Sequence, residues 1–581
     1  MQHRTQRIPR NPLLYCVSHT SSAWWSAGLG WGASTGKASR RISARGYYLG
    51  SLCYFRSRLA QSVSSVLLFC IALDKKLFWL IEPLDDVTSF LITMGSPALA
   101  AYSLQITHLN KGWITTSFLD VKYPNSQRIP TALSAFHHVP IRISHRAPFL
   151  HSLIILPKND EFWSRLAAAN KTRRWSIPLV MSYVLVIFSV ILTIMDSVTS
   201  PPPGDTGYSI AAIWTFLLPL IIGWLSIGCE PEPSHLRNSL DNANQKAWVA
   251  TERRDKPARG PLAIEFAKAE DVDLARKDEL RPVPVFNYSR AFTTSLNAEL
   301  ILGLMKNAAT NAEQRIPVVG LMGSGVPAWV ESEGNEIHDE NRVGTDTEVT
   351  EYCTRVRVLP QLEWNWSSTS TLEVRSPQTA NTSIPLLPLY DPRLSQNSCR
   401  WAPGIWKRVA IATALALGLQ WGTVGAAVMI HYIAPPVGLG CRALSFLLYG
   451  AAGTLSFFLF LTSSILAHMS RPLQGQGCVH SRLRTYQNVG AIICRWLGKC
   501  VAIVSAMGIL VVCFFQITGA FNSCFCSSFT FDKGEHPVVI LTINYIVGSS
   551  ILRIWIGGLA LAFSTALLFG FSMYLARPPS R

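Results

Sequence analysis

The sequence predicts an all-α, polytopic membrane protein with about six transmembrane helices, or seven to eight if a weaker N-terminal region also inserts. Three observations predict this. First, 49% of the residues are hydrophobic and only 15% are charged, against roughly one quarter charged in soluble domains. Second, six apolar runs reach the roughly 20 residues that a bilayer requires. Third, the basic excess borders those runs. The segment Cys229–Arg408 carries −3 of the +17 net charge, which leaves +20 on the remainder. Basic loops beside membrane spans produce this pattern without nucleic acid, which is excluded as a partner on that placement.

The elements follow in chain order. Residues 1–61 form a basic arm with no acidic residue before Asp74. It has the composition of a transit peptide, but is expected to be a disordered arm or a wrong gene start. Residues 62–108 are a weak hydrophobic region. Ser62–Ile81 holds three central charges, Asp74, Lys75 and Lys76, too costly for unaided insertion. Val87–Thr107 is uncharged, but Gly95-Ser96-Pro97 should break or kink it. It reads as a marginal span or a re-entrant helix pair.

Residues 109–176 are hydrophilic. Their "EFWSRLAAANKTRRW" is expected to lie on the membrane surface with its basic residues toward headgroups. Residues 177–228 form a helix pair, Ile177–Val198 and Ser209–Gly228. Residues 229–408 are a mostly soluble, partly disordered segment with two amphipathic helical patterns and a Ser/Thr/Pro-rich linker over 366–404. Residues 409–576 contain four spans, Val409–Ile433, Ala443–Ala467, Lys499–Phe521 and Ile554–Leu575, before a tail over 577–581. Lys/Arg residues at 171–174, 253–256, 407–408, 471–484 and 577–581 place both termini and the long segment in the cytosol. The expected location is the plasma membrane or an endomembrane, rather than the mitochondrion.

No catalytic or cofactor pattern survives inspection. The "GLGWGASTGK" stretch has Trp31 and Ala38 where a phosphate loop needs Gly and Ser/Thr. The acidic 339–350 stretch has Val343 and Thr350 at required calcium-ligand positions, and Met322 spoils a nucleophile elbow. His137, His138, His145 and His151 cluster without Cys or acidic partners at ligand spacing. No metal and no cofactor are expected.

The membrane helices offer three features. Ala414, Gly418, Gly422 and Ala426 recur every four residues, a stripe that permits close helix packing. Gln420 sits near mid-depth and must find a partner, either an interhelical hydrogen bond or a polar path for a solute. Cys441, Cys524 and Cys526 fall on the predicted non-cytosolic side. Cys441 can bridge one of the other two, or all three are free thiols. Sequons at Asn170, Asn287, Asn365 and Asn381 lie on the predicted cytosolic side, where they would stay unused.

The stretches "GSPALAAYSLQIT", "YPNS", "LRNSLDNANQKAWVAT", "NRVGT", "LQWGTVGAAV", "VGLGCR", "CFCSS" and "WIGG" resemble a family of fungal multi-pass membrane proteins with no assigned activity. The resemblance spans Leu84–Leu575. It implies that Gln420, Trp421, Cys441, Cys524 and Cys526 stand at family positions and gives none of them a role. Ser527 departs from the family's usual Asn, and His137–His138 from its usual Gln pair. Functionally, the expectation is a non-enzymatic scaffold or sensor with the bilayer, and helix or cytosolic protein partners, as its contacts. The alternatives are a small-solute transporter or channel and, if the threading is inverted, a cell-surface recognition protein.

Overall fold

The computed structural model describes residues 85–143, 147–169, 206–227, 233–253, 255–257, 263–268, 272–319, 329–334, 336–354, 401–434, 437–471, 481–517 and 551–575, with isolated positions in 187–194 and 521–535. The basic arm, Ile177–Val198 as a helix, most of the 366–404 linker, His145, Cys524, Asn170, Asn365 and Asn381 lie outside these residues.

The described chain is mostly helical. Four helices are long and apolar enough to cross a membrane, or five if one bent pair counts as a span. The bent pair is α1 (Asp85–Gly95) and α2 (Pro97–Leu119), which turn by 102° at Ser96. The sequence dictates the break. Pro97 has no N–H to continue α1 and restricts Ser96 to a non-helical conformation. The expectation of a broken pair here agrees with this geometry.

The soluble part begins with α3 (Arg128–Ala135), β1 (Ile141–Ile143), α4 (Ala147–Ile155) and α5 (Asp160–Ala169). The region expected as one span over 209–228 is instead two short helices, α6 (Thr206–Trp214) and α7 (Leu217–Ile227). Pro219 cannot donate to the Thr215 carbonyl four residues earlier, so the helix breaks there. The Thr215 hydroxyl turns back to the Ala211 carbonyl at 2.7 Å.

The long hydrophilic segment supplies α8 (Pro233–Asn244), the hairpin β2 (Trp248–Ala250) and β3 (Asp255–Pro257), and β4 (Ile264–Phe266), which pairs antiparallel with β1. A 3-10 segment, Leu274–Leu280, leads to α9 (Asn287–Glu313) and α10 (Asp346–Thr354). Apart from β3 and the 3-10 segment, whose buried Ala275 packs with Ala467 and Ala491, these elements share one apolar core with 114–166, including Phe162, Trp163, Leu240, Ile301 and Tyr352. For 161–169 of "EFWSRLAAANKTRRW" the expectation of a membrane-surface helix is therefore corrected, while 170–175 lie outside the described residues. Phe162 and Trp163 are fully buried in this core, and the Trp163 indole donates to the Leu153 carbonyl at 2.8 Å.

The bundle is built from α11 (Ile405–Ile433), α12 (Cys441–Met469), α13 (Ser481–Ile517) and α14 (Ile551–Leu575). Leu448, Leu455, Val504, Phe514, Leu567 and Phe571 are exposed on α12, α13 and α14, a surface compatible with lipid. The third of these helices departs from expectation. It begins at Ser481 rather than Lys499 and runs 37 residues, about 55 Å at 1.5 Å per residue.

Two rods tie the soluble core to the bundle. The first half of α2 packs with Phe457 and Ala502, and its second half enters the soluble core at Ile114 and Phe118. Tyr288 and Phe292 at the start of α9 likewise pack in the bundle, while Ile301 and Met305 lie in the soluble core.

Candidate functional site

Gln420 sits halfway along α11 and is fully buried. Its Oε1 accepts from the Ala98 amide at 3.0 Å, and its Nε2 donates to the Gly450 carbonyl at 2.8 Å and to Thr454 Oγ1 at 2.9 Å. Ala98 is the second residue of α2, whose first amides have no partner within the helix. Ser96 would ordinarily cap them. Its hydroxyl instead donates to the Gly453 carbonyl at 2.9 Å, so Gln420 supplies the cap from another helix. The Tyr449 hydroxyl donates to the Met94 carbonyl at 2.6 Å, which secures the other side of the break. Gly95 permits this approach, since a Cβ there would stand 1.8 Å from the Ala502 carbonyl oxygen. All of the glutamine's polar atoms are engaged in holding a broken helix together.

The stripe on α11 divides. A Cβ on Gly422 would meet the Thr565 side chain at 2.5 Å, and Ala426 is buried beside Gly558 of α14. Ala414 and Gly418 are exposed among the described residues and take no part in that contact. Cys441 and Cys526 are joined in a disulfide with Cα atoms 5.5 Å apart. Nearby, the Phe531 amide donates to the Leu439 carbonyl at 3.0 Å. Asn287 is fully buried, donating to Thr107 Oγ1 and accepting from Arg290, which leaves no room for a glycan in this conformation. His137 and His151 are buried in the soluble part, and burial lowers the His151 pKa to about 4. Among the described residues, no group of three His, Cys, Asp or Glu side chains could hold a metal ion.

A second polar site lies where the 3-10 segment packs against the first half of α13 and the end of α12. Asp278 and Glu279, from the 3-10 segment, are both buried. Lys499 of α13 donates to Asp278 Oδ1 at 2.6 Å, and the Tyr288 hydroxyl donates to its Oδ2 at 2.7 Å. Arg495, one turn earlier on α13, donates to the Leu274 carbonyl at 2.6 Å. Glu279 accepts from Arg276 at 2.6 Å and from Arg471, just beyond α12, at 3.3 Å. Burial would raise both carboxyls. The cations outweigh it, Lys499 foremost for Asp278 and Arg471 for Glu279, and hold both below their usual range.

Beside this joint is a cavity of about 400 Å³. Arg142, Arg276, Arg290, Arg471 and Arg484 line it, with Asp273 and Glu279 as its carboxylates and Thr293, Thr294 and Asn297 as neutral polar groups. No family model, curated protein or solved structure matches the chain.

The ionic joint escapes a reading of hydrophobic runs. The expected span Lys499–Phe521 places Lys499 at its first position. Lys499 is instead buried in the middle of α13 and paired across to the soluble part. A usable signal was present: one lysine inside "WLGKCVAIV", and the dense mixed charges of "DVDLARKDELR". Buried charges require partners, and these two stretches partner each other.

The stretches "YPNS" and "NRVGT" hold the fold. Asn125 of "YPNS", in the left-handed region at φ 67°, donates to Asp160. Asp160 also accepts from Arg342 of "NRVGT" at 2.7 and 2.9 Å. A Cβ on Gly344 of the same motif would meet Val318 at 2.7 Å.

Proposed function

We propose that the chain is a non-enzymatic, multi-pass membrane protein in which a cytosolic domain senses a ligand and is mechanically coupled to the helix bundle. The observation that carries this reading is the buried ionic joint. Asp278 and Glu279 come from the domain, and Lys499, Arg495 and Arg471 come from bundle helices or their immediate ends. A change in the domain at this point must be felt by α13, because the charges cannot separate without being left unpaired in a dry environment. The free, buried Cys353 in the domain and the Cys441–Cys526 disulfide at the opposite end of the helices favour a reducing and an oxidising side respectively. The basic flanks of the spans favour the same orientation. The fungal membrane-protein family remains part of this reading, as does placement in the plasma membrane or an endomembrane.

Engineered sequons test the threading. One inserted within 331–334 should stay unmodified, and one beside Gly534 should be glycosylated. The reverse pattern would make the domain luminal or extracellular and favour surface recognition. A transporter is the second reading, supported by a discontinuous helix at mid-bundle. Solute flux in proteoliposomes that is abolished in a folded Gln420→Leu variant would move the assignment there.

A further inference from the structure

We infer that the arginine-lined cavity at the joint binds a phosphate monoester, one per chain. The inference deepens the sensing function proposed above and rests on it.

Charge comes first. Arg276, Arg290 and Arg471 line the cavity as buried or half-buried guanidinium groups against one buried carboxylate, Glu279, an excess of two positive charges, while Arg142, Arg484 and Asp273 stand exposed at its rim. Arg276 and Arg471 share Glu279. Arg290 is fixed by neutral acceptors, the carbonyls of His137, Glu279 and Arg281 and Asn287 Oδ1. Its charge is therefore rigidly placed and adds to the field in the cavity. Burying a surplus of like charge is unfavourable unless an anion offsets it, and a phosphate monoester carries about −1.5 to −2 near neutral pH.

Geometry selects the class of anion. The donors converge from separate elements: Arg142 from the β1–β4 ribbon, Arg276 from the 3-10 segment, Arg290 from α9, Arg471 from just beyond α12, and Arg484 from the first turn of α13. Guanidinium forks approaching from several directions suit the three terminal oxygens of a phosphate better than a planar carboxylate. The Nε–H of Arg471 is buried with no acceptor among the described residues. Thr294 and Asn297 add neutral donors from α9. The volume, about 400 Å³, exceeds that of a bare ion and admits a substituent of headgroup size.

Position links the site to the joint. Glu279 belongs both to the cavity wall and to the ionic joint. An anion competing for Arg471 would loosen its hold on Glu279 and alter the contact between domain and helix ends. Arg471 follows α12 directly and Arg484 lies in the first turn of α13. Both a lipid headgroup and a soluble phosphate compound could therefore reach the cavity.

The test uses the full-length protein in phosphatidylcholine nanodiscs. Melting temperature is measured against added inorganic phosphate in one arm and against discs containing phosphatidic acid in the other. Discs with phosphatidylserine and chloride at matched ionic strength serve as controls. The expected result is a saturable rise in melting temperature in at least one arm. Affinity should fall at least about tenfold in the Arg142→Gln/Arg484→Gln variant. Both side chains are exposed at the rim, so the variant should fold, with any change in unliganded melting confined to the surface pairing of Arg142 opposite Glu265. If its unliganded melting does shift, the ligand-induced rise is read from the variant's own unliganded value and should still be lost. A response only to phosphatidic acid assigns a lipid headgroup, and a response only to inorganic phosphate assigns a soluble ligand. No response in either arm, a response to phosphatidylserine as large as that to phosphatidic acid, or full response in the double variant would overturn the site. Failure of the threading is read separately from the engineered sequons, which do not report on phosphate.

Discussion

Replacing Gln420 by Met removes three hydrogen bonds while nearly conserving volume and adding no branch. The consequences are unequal. Thr454 Oγ1 keeps its donor from the Trp421 indole at 3.1 Å and its own bond to the Gly450 carbonyl at 2.8 Å. The Gly450 carbonyl therefore also retains a partner. The Ala98 amide does not, because Pro97 precedes it and Ser96 is committed to Gly453. One buried N–H left without an acceptor costs about 1–3 kcal/mol. The two donations from Nε2 contribute about 0.6 kcal/mol each, the average for interhelical bonds in membranes. Burial of the Met thioether offsets part of this, so Gln420→Met should destabilise by about 2–3 kcal/mol. The assay is unfolding in mixed micelles with graded SDS, read with hydrogen exchange at 98–101. Loss of protection should be confined to the first turn of α2. A variant within about 0.5 kcal/mol of wild type, with unchanged exchange at Ala98, would refute the capping role.

Three further outcomes follow from the same coordinates. Lys499→Met should cost about 3–5 kcal/mol by stranding the buried Asp278 carboxylate, and Asp278→Asn combined with it should recover part of that loss. Additive costs measured in the same SDS titration would contradict a direct pair. The buried neutral His151, with its pKa held near 4, contributes stability that is complete above about pH 6.5 and lost as pH falls toward 4, roughly 3 kcal/mol in all. Melting temperatures between pH 7.5 and 4.5 should decline less steeply in His151→Asn. Asp278 and Glu279, with depressed pKa values, add losses only below the usual carboxylate range. Gly95→Ala should abolish folding or cost more than about 3 kcal/mol, because its Cβ would overlap the Ala502 carbonyl. Gly418→Ala, with no described atom within 4 Å of its Cβ, should stay within about 0.5 kcal/mol, as measured by yield and thermal stability.

The four long apolar helices and the break at Gly95-Ser96-Pro97 were legible because each follows from local composition: length and hydropathy for the former, a missing amide for the latter. What local composition hides is which segment pays for a buried polar group. Gln420 announced a need for a partner, yet its acceptor role concerns Ala98, 322 positions away, and nothing near Gln420 in sequence points there. The same limit applies to Phe162 and Trp163. Their amphipathic pattern is equally suited to a lipid surface and to a protein core, and only the distant residues of 236–353 decide between them.

Lys499 shows how that gap closes. A lysine inside an apolar run implies either a span that starts at the lysine or a partner brought to it. Starting the helix at Lys499 satisfies hydropathy alone, but it leaves Arg495, one turn earlier on the same face, without a reason to be buried. Two buried cations a turn apart require acceptors on one external element, and two stretches of the segment are dense in carboxylates near a tyrosine, 271–281 before Tyr288 and 331–351 before Tyr352; the structure brings the first of them to Lys499. Pairing the two converts an apparent defect in a membrane helix into the contact that fixes the soluble part against it. A span with an unexplained charge is then better read as an address for another part of the chain than as a site in its own right.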